Sequence, residues 1–314
     1  MSSQHSPAGV HRGSAYARRH LRAALRRHRE LLGPAWTQRE IGDRLGWSPA
    51  KLLRIEQGHV RVSQTDLEAL VRLYGIDDPD EVELLMAWQR AGRKTGSLIG
   101  RHRHLLSKTA LEFYEEEEAA SRLLDYEPLL IPGHLQTERY ARVVHERLGG
   151  ARAEPDDETG SPRPSVEDRI TIMKARQQYL EPEHNLQGHF VLGAAALRLR
   201  VGNEDGGDPA GEVMAEQLTH LREMNARHDN VTIQVVPDSA GLFNRYMRFP
   251  FVILEFDDGD RLSLLEMPPD GTLIRHGERH IADLADAFEA ISALASAPAD
   301  FDAIAAAALA ALGS

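Results

Sequence analysis

The segment TQREIGDRLGWSPAKLLRIEQG, residues 37–58, contains the pattern of two short helices joined by a tight turn. Ile41 and Leu45 are four residues apart, which places both on one apolar face of the first helix. Gly46 follows directly and interrupts that helix, because glycine is a poor helix former. The pattern therefore predicts a first helix that ends beside Leu45.

The second helix of this segment has signals at both ends. Ser48 is a favourable N-cap, and Pro49 suits the first helical position, where a missing N–H costs no hydrogen bond. Leu52 and Ile55 continue the apolar face, and Gly58 is predicted to adopt the left-handed conformation after the last turn. We therefore expect both helices to bury their apolar faces in one core.

Burial of that apolar face leaves Ala50, Lys51 and Arg54 pointing outward. One small and two cationic side chains near a helix N-terminus are suited to contact base edges and phosphates. The alternative is an αα-hairpin without any role in nucleic-acid binding.

Several of these residues stand at the spacing of a known motif. Residues 37–58 resemble the helix-turn-helix of the lambda repressor/Cro-like (Xre) family in Gln38, the Leu45–Gly46 turn, the Ser48 cap and the closing Ile55-Glu56-x-Gly58. The resemblance implies a DNA-binding domain whose second helix lies in the major groove. We predict base contacts from Ser48, Ala50, Lys51 and Arg54, and phosphate contacts from Gln38, Arg39 and Arg61.

Charge is distributed unevenly along the chain. The net charge is −11, yet residues 1–63 hold 12 Lys and Arg against 4 Asp and Glu, so the rest carries −19. A basic N-terminal domain followed by an acidic domain is expected when the first binds DNA phosphates and the second does not. Two such modules also fit a chain of 314 residues.

Composition excludes several other classes of protein. There is no cysteine, so disulfides, thiolate nucleophiles and Cys-ligated zinc are excluded. The sequence contains no apolar run of the roughly 20 residues that cross a bilayer, and residues 1–19 lack the apolar core of a signal peptide. We predict a cytoplasmic protein with no membrane association.

The apolar periodicity predicts the following organisation. Residues 1–14 form a disordered tail, 15–95 a five-helix DNA-binding domain, 96–107 a hinge, and 108–314 an α+β domain with a small, mostly antiparallel sheet. In the last domain a helix is expected from Lys108 to about Tyr126, with two of the carboxylates Glu115–Glu118 solvated. Strands are predicted at 190–201, 231–236, 249–256 and 261–266.

The second half has a resemblance of its own. IPGHLQTERYARVVHERL, IMKARQQYL, NVTIQVVPDSAG and FVILEFDDGDRLSLLEMP are similar to the C-terminal domain, of unknown function, that follows Xre modules in antitoxin-like actinobacterial regulators. His134 departs from that pattern, which usually has an apolar residue there. The resemblance implies a small acidic partner protein or a small-molecule effector. Candidate contacts are Gln136, Tyr140, Arg176 and Arg245.

No established catalytic motif is present, so we predict that the chain is not an enzyme and has no cofactor. An unrecognised active site attached to a DNA-binding head is the alternative. Two weak metal motifs occur: His276 and His280 flank Glu278 near Asp283, and residues 203–211 are acidic. Neither has a full ligand set, so no metal site is predicted.

The functional prediction is a sequence-specific transcriptional regulator. It would bind a double-stranded DNA operator as a homodimer, because one recognition helix covers only a few base pairs. Its C-terminal domain would respond to a partner protein, in an antitoxin-like manner. The alternative is a one-component regulator whose C-terminal domain binds a small-molecule effector.

Overall fold

The chain folds into two compact units, Met1–Arg101 and His102–Ser314, with the break inside the predicted 96–107 hinge. The computed structural model describes residues 14–48, 50–57, 60–93, 99–148, 164–184, 186–201, 211–257, 259–265, 272–274 and 278–312. The predicted disordered tail lies outside these ranges except for Ser14, which is instead buried at the start of the first helix.

Unit 1 contains five α-helices within its described residues, in agreement with the predicted five-helix domain. They are α1 Ser14–Leu31, α2 Gln38–Leu45, α3 Lys51–Glu56, α4 Gln64–Tyr74 and α5 Pro79–Arg93. All five contribute to one core, in which Leu25, Ile41, Leu52, Ile55 and Leu67 are fully buried. The predicted apolar face of α2 and α3 is therefore confirmed.

Unit 2 combines helices with a sheet. Its helices are α6 Lys108–Glu117, α7 Glu138–Leu148, α8 Val166–Gln177, α9 Glu212–Arg227, α10 Glu278–Leu294 and α11 Phe301–Leu312. Its strands are β1 Arg122–Glu127, β2 Gln187–Gly193, β3 Val231–Val236, β4 Phe251–Glu255, β5 Arg261–Leu265 and β6 Thr272–Ile274.

The six strands form one mixed sheet in the order β3-β2-β1-β4-β5-β6. β1 pairs in parallel with β2, and β2 in parallel with β3, whereas β4, β5 and β6 add antiparallel strands. The predicted α+β domain is therefore present, but its sheet is mixed, with two parallel and three antiparallel pairings between the described strands, and is larger than expected. Helices α7 and α8 connect β1 to β2, and α9 connects β2 to β3, as parallel pairing requires a crossover.

Two predicted boundaries were wrong. The helix from Lys108 ends at Glu117, and residues 122–127 instead form β1 at the centre of the sheet. The strand expected over 190–201 ends at Gly193, where an added Cβ would lie 2.4 Å from the Pro128 carbonyl oxygen. A short 3-10 helix, Ala194–Leu197, follows it.

Helix α10 covers one face of the sheet. Leu284, Phe288 and Ile291 pack there against side chains such as Val191 and Ile253. Among the described residues, no single helix is long and apolar enough to span a bilayer. The segments Arg279–Leu294 and Pro298–Leu312 meet that length and composition only together, across a 55° bend.

Candidate nucleic-acid interface

Helix α2 is bounded at both ends by specific caps. The Thr37 hydroxyl accepts a hydrogen bond from the Glu40 amide at 3.2 Å. Gly46 has φ +65°, its N–H donates to Asp43 O, and the Trp47 N–H donates to Gly42 O at 2.8 Å. These two bonds form a Schellman motif, which ends α2 sharply and fixes the turn toward α3.

Helix α3 starts later than predicted. It begins at Lys51, and Ala50 precedes it in a helical backbone conformation without a side-chain cap. Ser48 is therefore not the N-cap; its carbonyl oxygen accepts from the Lys51 amide at 2.9 Å. The predicted roles of Pro49 and Gly58 fall outside the described residues.

Glu56, at the end of α3, accepts hydrogen bonds from side chains of α1 and α2. Arg29 of α1 donates to both of its carboxylate oxygens, at 2.7 and 3.1 Å. The Gln38 side-chain amide of α2 donates to Oε2 at 2.6 Å. Gln38 was predicted to contact phosphate, but its side-chain nitrogen is committed to Glu56 in this arrangement.

Lys51 does not project freely outward, so that part of the sequence prediction needs correction. Its Nζ lies 2.6 Å from Asp66 Oδ1 of α4 and 4.1 Å from the centroid of the Trp47 ring. Only 32% of the side chain is exposed. The ammonium group therefore holds the start of α3 against α4.

The outward face of α3 consists of Ala50, Leu53 and Arg54, all exposed. Arg54 has no ion-pair partner within the described ranges, so its guanidinium can donate to an incoming ligand. Sequence reasoning missed Leu53, although its i+3 spacing from Ala50 already places it on this face.

The other predicted DNA contacts are also at the surface. Ser48 and Arg61 are exposed, and Arg61 has no ion-pair partner in the part of the chain that the structure describes. The Arg39 side chain is 84% exposed, with Asp43 at 4.0 Å as a weak neighbour. Three arginines of α1 are instead paired with acids: Arg26 with Glu30, Arg27 with Glu81 and Arg29 with Glu56.

Gln136 and Tyr140, two of the four candidate contact residues in unit 2, make hydrogen bonds to Ile131 in the loop before α7. The Gln136 side chain donates to Ile131 O at 2.7 Å, and the Gln136 backbone carbonyl accepts from the Gln177 side chain. The Tyr140 hydroxyl accepts from the Ile131 amide at 3.2 Å. Burial raises the pKa of Tyr140 to about 12. Both residues thus hold the loop before α7 in place.

Arg176 belongs to a buried charged cluster. Its guanidinium donates to both oxygens of Glu117 at 2.8 Å and lies over the Tyr114 ring. Burial alone would raise the pKa of Glu117, but the charge and the hydrogen bonds of Arg176 outweigh burial and lower it to about 2. Glu117 is fully buried and Glu116 nearly so, whereas Glu115 and Glu118 are partly exposed, so the structure does not contradict the expectation that two of these four carboxylates are solvated.

His134 completes this cluster and is itself 1% exposed. Its Nε2 lies 3.3 Å from Glu117 Oε1, but neither ring nitrogen has a hydrogen-bond partner among the described residues. Burial lowers the pKa of His134, and this outweighs the attraction of Glu117. The ring is therefore neutral near pH 7.

Arg245 lies on a different element from the other three candidates. It is in the 3-10 helix Arg245–Arg248, with Asp283 of α10 at 3.4 Å and the Tyr246 hydroxyl at 3.0 Å. Around it, Leu242, Phe243 and Phe249 are exposed, together with Arg248. We call residues 242–249 the 242–249 patch.

Ser292 and His189 of unit 2 lie close together but are not arranged as a nucleophile and its base. Ser292 Oγ lies 3.3 Å from His189 Nε2, but it donates its proton to Gln234 Oε1 at 2.8 Å. The described residues contain no group of three side chains that could hold a metal. His276 and residues 203–210 lie outside them, and Asp283 is paired with Arg245.

Comparison with known families agrees with this division of the chain. Residues 20–85 match a helix-turn-helix domain, which supports a DNA-binding regulator without specifying the lambda repressor/Cro-like subgroup. No curated protein and no solved structure matches the chain. Residues 110–301, more than half of the chain, match a domain of unknown function, and the chain therefore belongs to the DUF5753 family.

Proposed function

We propose that this chain is a sequence-specific transcriptional regulator of the lambda repressor/Cro-like type. Unit 1 binds an operator in double-stranded DNA, and unit 2 responds to a second molecule. The observation that carries the proposal is the exposed Arg54 on the outward face of α3, within the helix-turn-helix match.

The individual roles follow from how each side chain is held. Arg54 donates to a guanine edge, since arginine pairs bidentately with O6 and N7 of guanine. The exposed Arg39 and Arg61 contact phosphates and fix the register. Gln38 and Lys51 act indirectly, by holding α2 and α3 in position.

The DNA-bound form is proposed to be a homodimer. Helix α3 has only six residues and reaches a few base pairs. Two copies on half-sites about one DNA turn apart multiply affinity and give a palindromic operator.

A selection experiment tests DNA binding. The full chain is used to select duplexes from a random library, and the affinity for the enriched duplex is measured by fluorescence anisotropy at fixed salt. Arg54→Ala is expected to lose about 1–3 kcal/mol of discrimination at one base pair of each half-site. Arg227→Ala is the control, because that arginine of α9 is 72% exposed in unit 2 and has Glu223 at 3.6 Å. Unchanged selectivity of Arg54→Ala would contradict the proposal.

Unit 2 is proposed to respond to a small acidic partner protein, as in antitoxin-like regulators. The 242–249 patch supports this proposal, because it combines exposed aromatic and leucine side chains with two arginines. Arginine and aromatic residues are enriched among the side chains that dominate protein interfaces. By contrast, Gln136, Tyr140 and Arg176 already make internal hydrogen bonds.

The alternative is a small-molecule effector. A cleft of about 450 Å³ lies between the start of α7 and α9, lined by Thr137, Ala215, Glu216, Thr219, His220 and Glu223. Its carboxylates and hydroxyls suit a small cationic ligand better than an apolar one. In either case we propose a cytoplasmic protein without enzymatic activity.

A pull-down separates the two proposals for unit 2. The tagged full chain should recover a stoichiometric small acidic protein from native extract, and Phe243→Ser should lose it. Leu199→Ser, which alters another exposed leucine of unit 2, is the matched control. Recovery of no such protein by the unmodified chain would favour the effector alternative.

A further inference from the structure

The outward face of α3 includes an exposed apolar residue, Leu53. At 3.6 residues per turn, Ala50, Leu53, Arg54 and Gln57 fall within about 100° of arc. Leu52 and Ile55 occupy the opposite side and are fully buried. Leu53 is thus presented beside Arg54, on the surface that the proposed function places in the major groove.

Leu53 is 36% exposed and is not needed for the core, which Leu52 and Ile55 already fill from α3. Isolated exposed leucines are ordinary on a surface, so exposure alone would mean little. What distinguishes Leu53 is its position on the same outward arc as the exposed Ala50 and Arg54.

The major groove offers one apolar feature to such a side chain, the C5-methyl group of thymine. Lys51 cannot supply base contacts from this stripe without breaking its ion pair with Asp66 and leaving the Trp47 ring. The exposed residues of this arc, Ala50, Leu53 and Arg54, therefore combine one arginine with two apolar side chains. An arginine reads guanine best.

We propose that Leu53 is a specificity-determining residue that contacts the methyl group of a thymine adjacent to the guanine read by Arg54. The proposal rests on the proposed DNA-binding function. It adds that each half-site contains a G·C pair next to an A·T pair, and that the second pair is recognised by its methyl group.

Replacement of thymine by deoxyuridine tests this contact, because it removes only the methyl group. Each thymine of the duplex selected by the full chain is replaced in turn, and Kd is measured by fluorescence anisotropy at fixed salt. At one position per half-site, the replacement should weaken binding about fourfold, the value expected for one buried carbon group.

The variants identify the residue that is responsible. Leu53→Ala should bind the thymine and deoxyuridine duplexes equally, whereas Leu53→Met keeps an apolar side chain and should retain the discrimination. Leu31→Ala, which removes a 74% exposed leucine at the end of α1, should retain it too. Loss of the discrimination in Ala50→Gly but not in Leu53→Ala would overturn the proposal.

Two negative results have different meanings. Enrichment of a duplex that is indifferent to every thymine methyl would overturn this inference and leave the proposed function standing. Failure to enrich any sequence would overturn both.

Discussion

Glu117 shows how far the environment of a single residue can depart from its local sequence. It lies within four consecutive glutamates, yet its side chain is fully buried and paired with Arg176, 59 positions later. No local pattern indicates which of the four faces the core. Lys51 is a similar case, because its partner Asp66 comes from the next helix, α4, 15 positions later. Contacts of this kind depend on the assembled fold.

The Glu117–Arg176 pair should make unit 2 sensitive to acid. The folded-state pKa of Glu117 is about 2, below the ordinary value of 4.5, so its contribution to stability is present above pH 4.5 and is lost as pH falls from there toward 2. Glu117→Gln removes the carboxylate charge that faces the guanidinium of Arg176 and should cost about 3–5 kcal/mol at pH 7.

Scanning calorimetry of the full chain measures this change. All three tryptophans, Trp36, Trp47 and Trp88, are in unit 1, so tryptophan fluorescence identifies the transition of that unit. The other calorimetric transition belongs to unit 2, and its midpoint should move to lower temperature in Glu117→Gln. An unchanged transition at pH 7 would show that the pair does not stabilise unit 2.

His134→Leu should have the opposite effect. The folded-state pKa of His134 is lowered by burial, so unfolding takes up a proton and stability falls as pH decreases below the ordinary value of 6.5. Leucine removes an imidazole whose nitrogens have no hydrogen-bond partner among the described residues. The variant should therefore lose less stability than the unmodified chain between pH 7 and 5. A parallel decline in both proteins would contradict this assignment.

Elements with local start and stop signals were predicted most accurately. Gly46 was predicted to end the first helix of residues 37–58, and it does so in the left-handed conformation. Strand β1 was missed because Glu115–Ala120 are compatible with helix, and the following apolar run is too short to show a strand period. Its assignment depends on pairing with β2 and β4, which are distant in sequence.

Replacement by alanine should change the stability of unit 1 in opposite directions at Gly42, inside α2, and at Gly46, directly after it. A Cβ at Gly42 would lie 3.7 Å from Ser48 O and 3.8 Å from Trp47 O, which are ordinary contacts. Gly42→Ala should therefore stabilise unit 1 by about 0.5–1 kcal/mol. Gly46 has φ +65°, where an L-residue is strained, so Gly46→Ala should destabilise it by about 1–2 kcal/mol.

Urea unfolding followed by tryptophan fluorescence measures both glycine variants in unit 1. The midpoint should rise for Gly42→Ala and fall for Gly46→Ala. Equal shifts in the same direction would contradict the helix boundary at Leu45–Gly46.

At the scale of the whole molecule, the two-module organisation could be predicted from charge. The basic excess of residues 1–63 coincides with the helix-turn-helix match, and the acidic remainder contains the DUF5753 domain. The order of the strands could not be predicted, because β1 pairs with strands that are distant in sequence. Its residue Arg122 is paired with Gln187 of β2 on one side and with Glu255 of β4 on the other. Sequence reasoning also could not tell which cations of unit 1 stay exposed, since acids from other helices neutralise several of them.

Methylation of guanine N7 by dimethyl sulfate tests the central claim most directly, because N7 lies in the major groove. When the full chain binds its selected duplex, one guanine of each half-site should be protected, and Arg54→Ala should lose that protection while Arg227→Ala keeps it. Protection confined to adenine N3 in the minor groove, or the same N7 protection in Arg54→Ala, would contradict recognition by the outward face of α3.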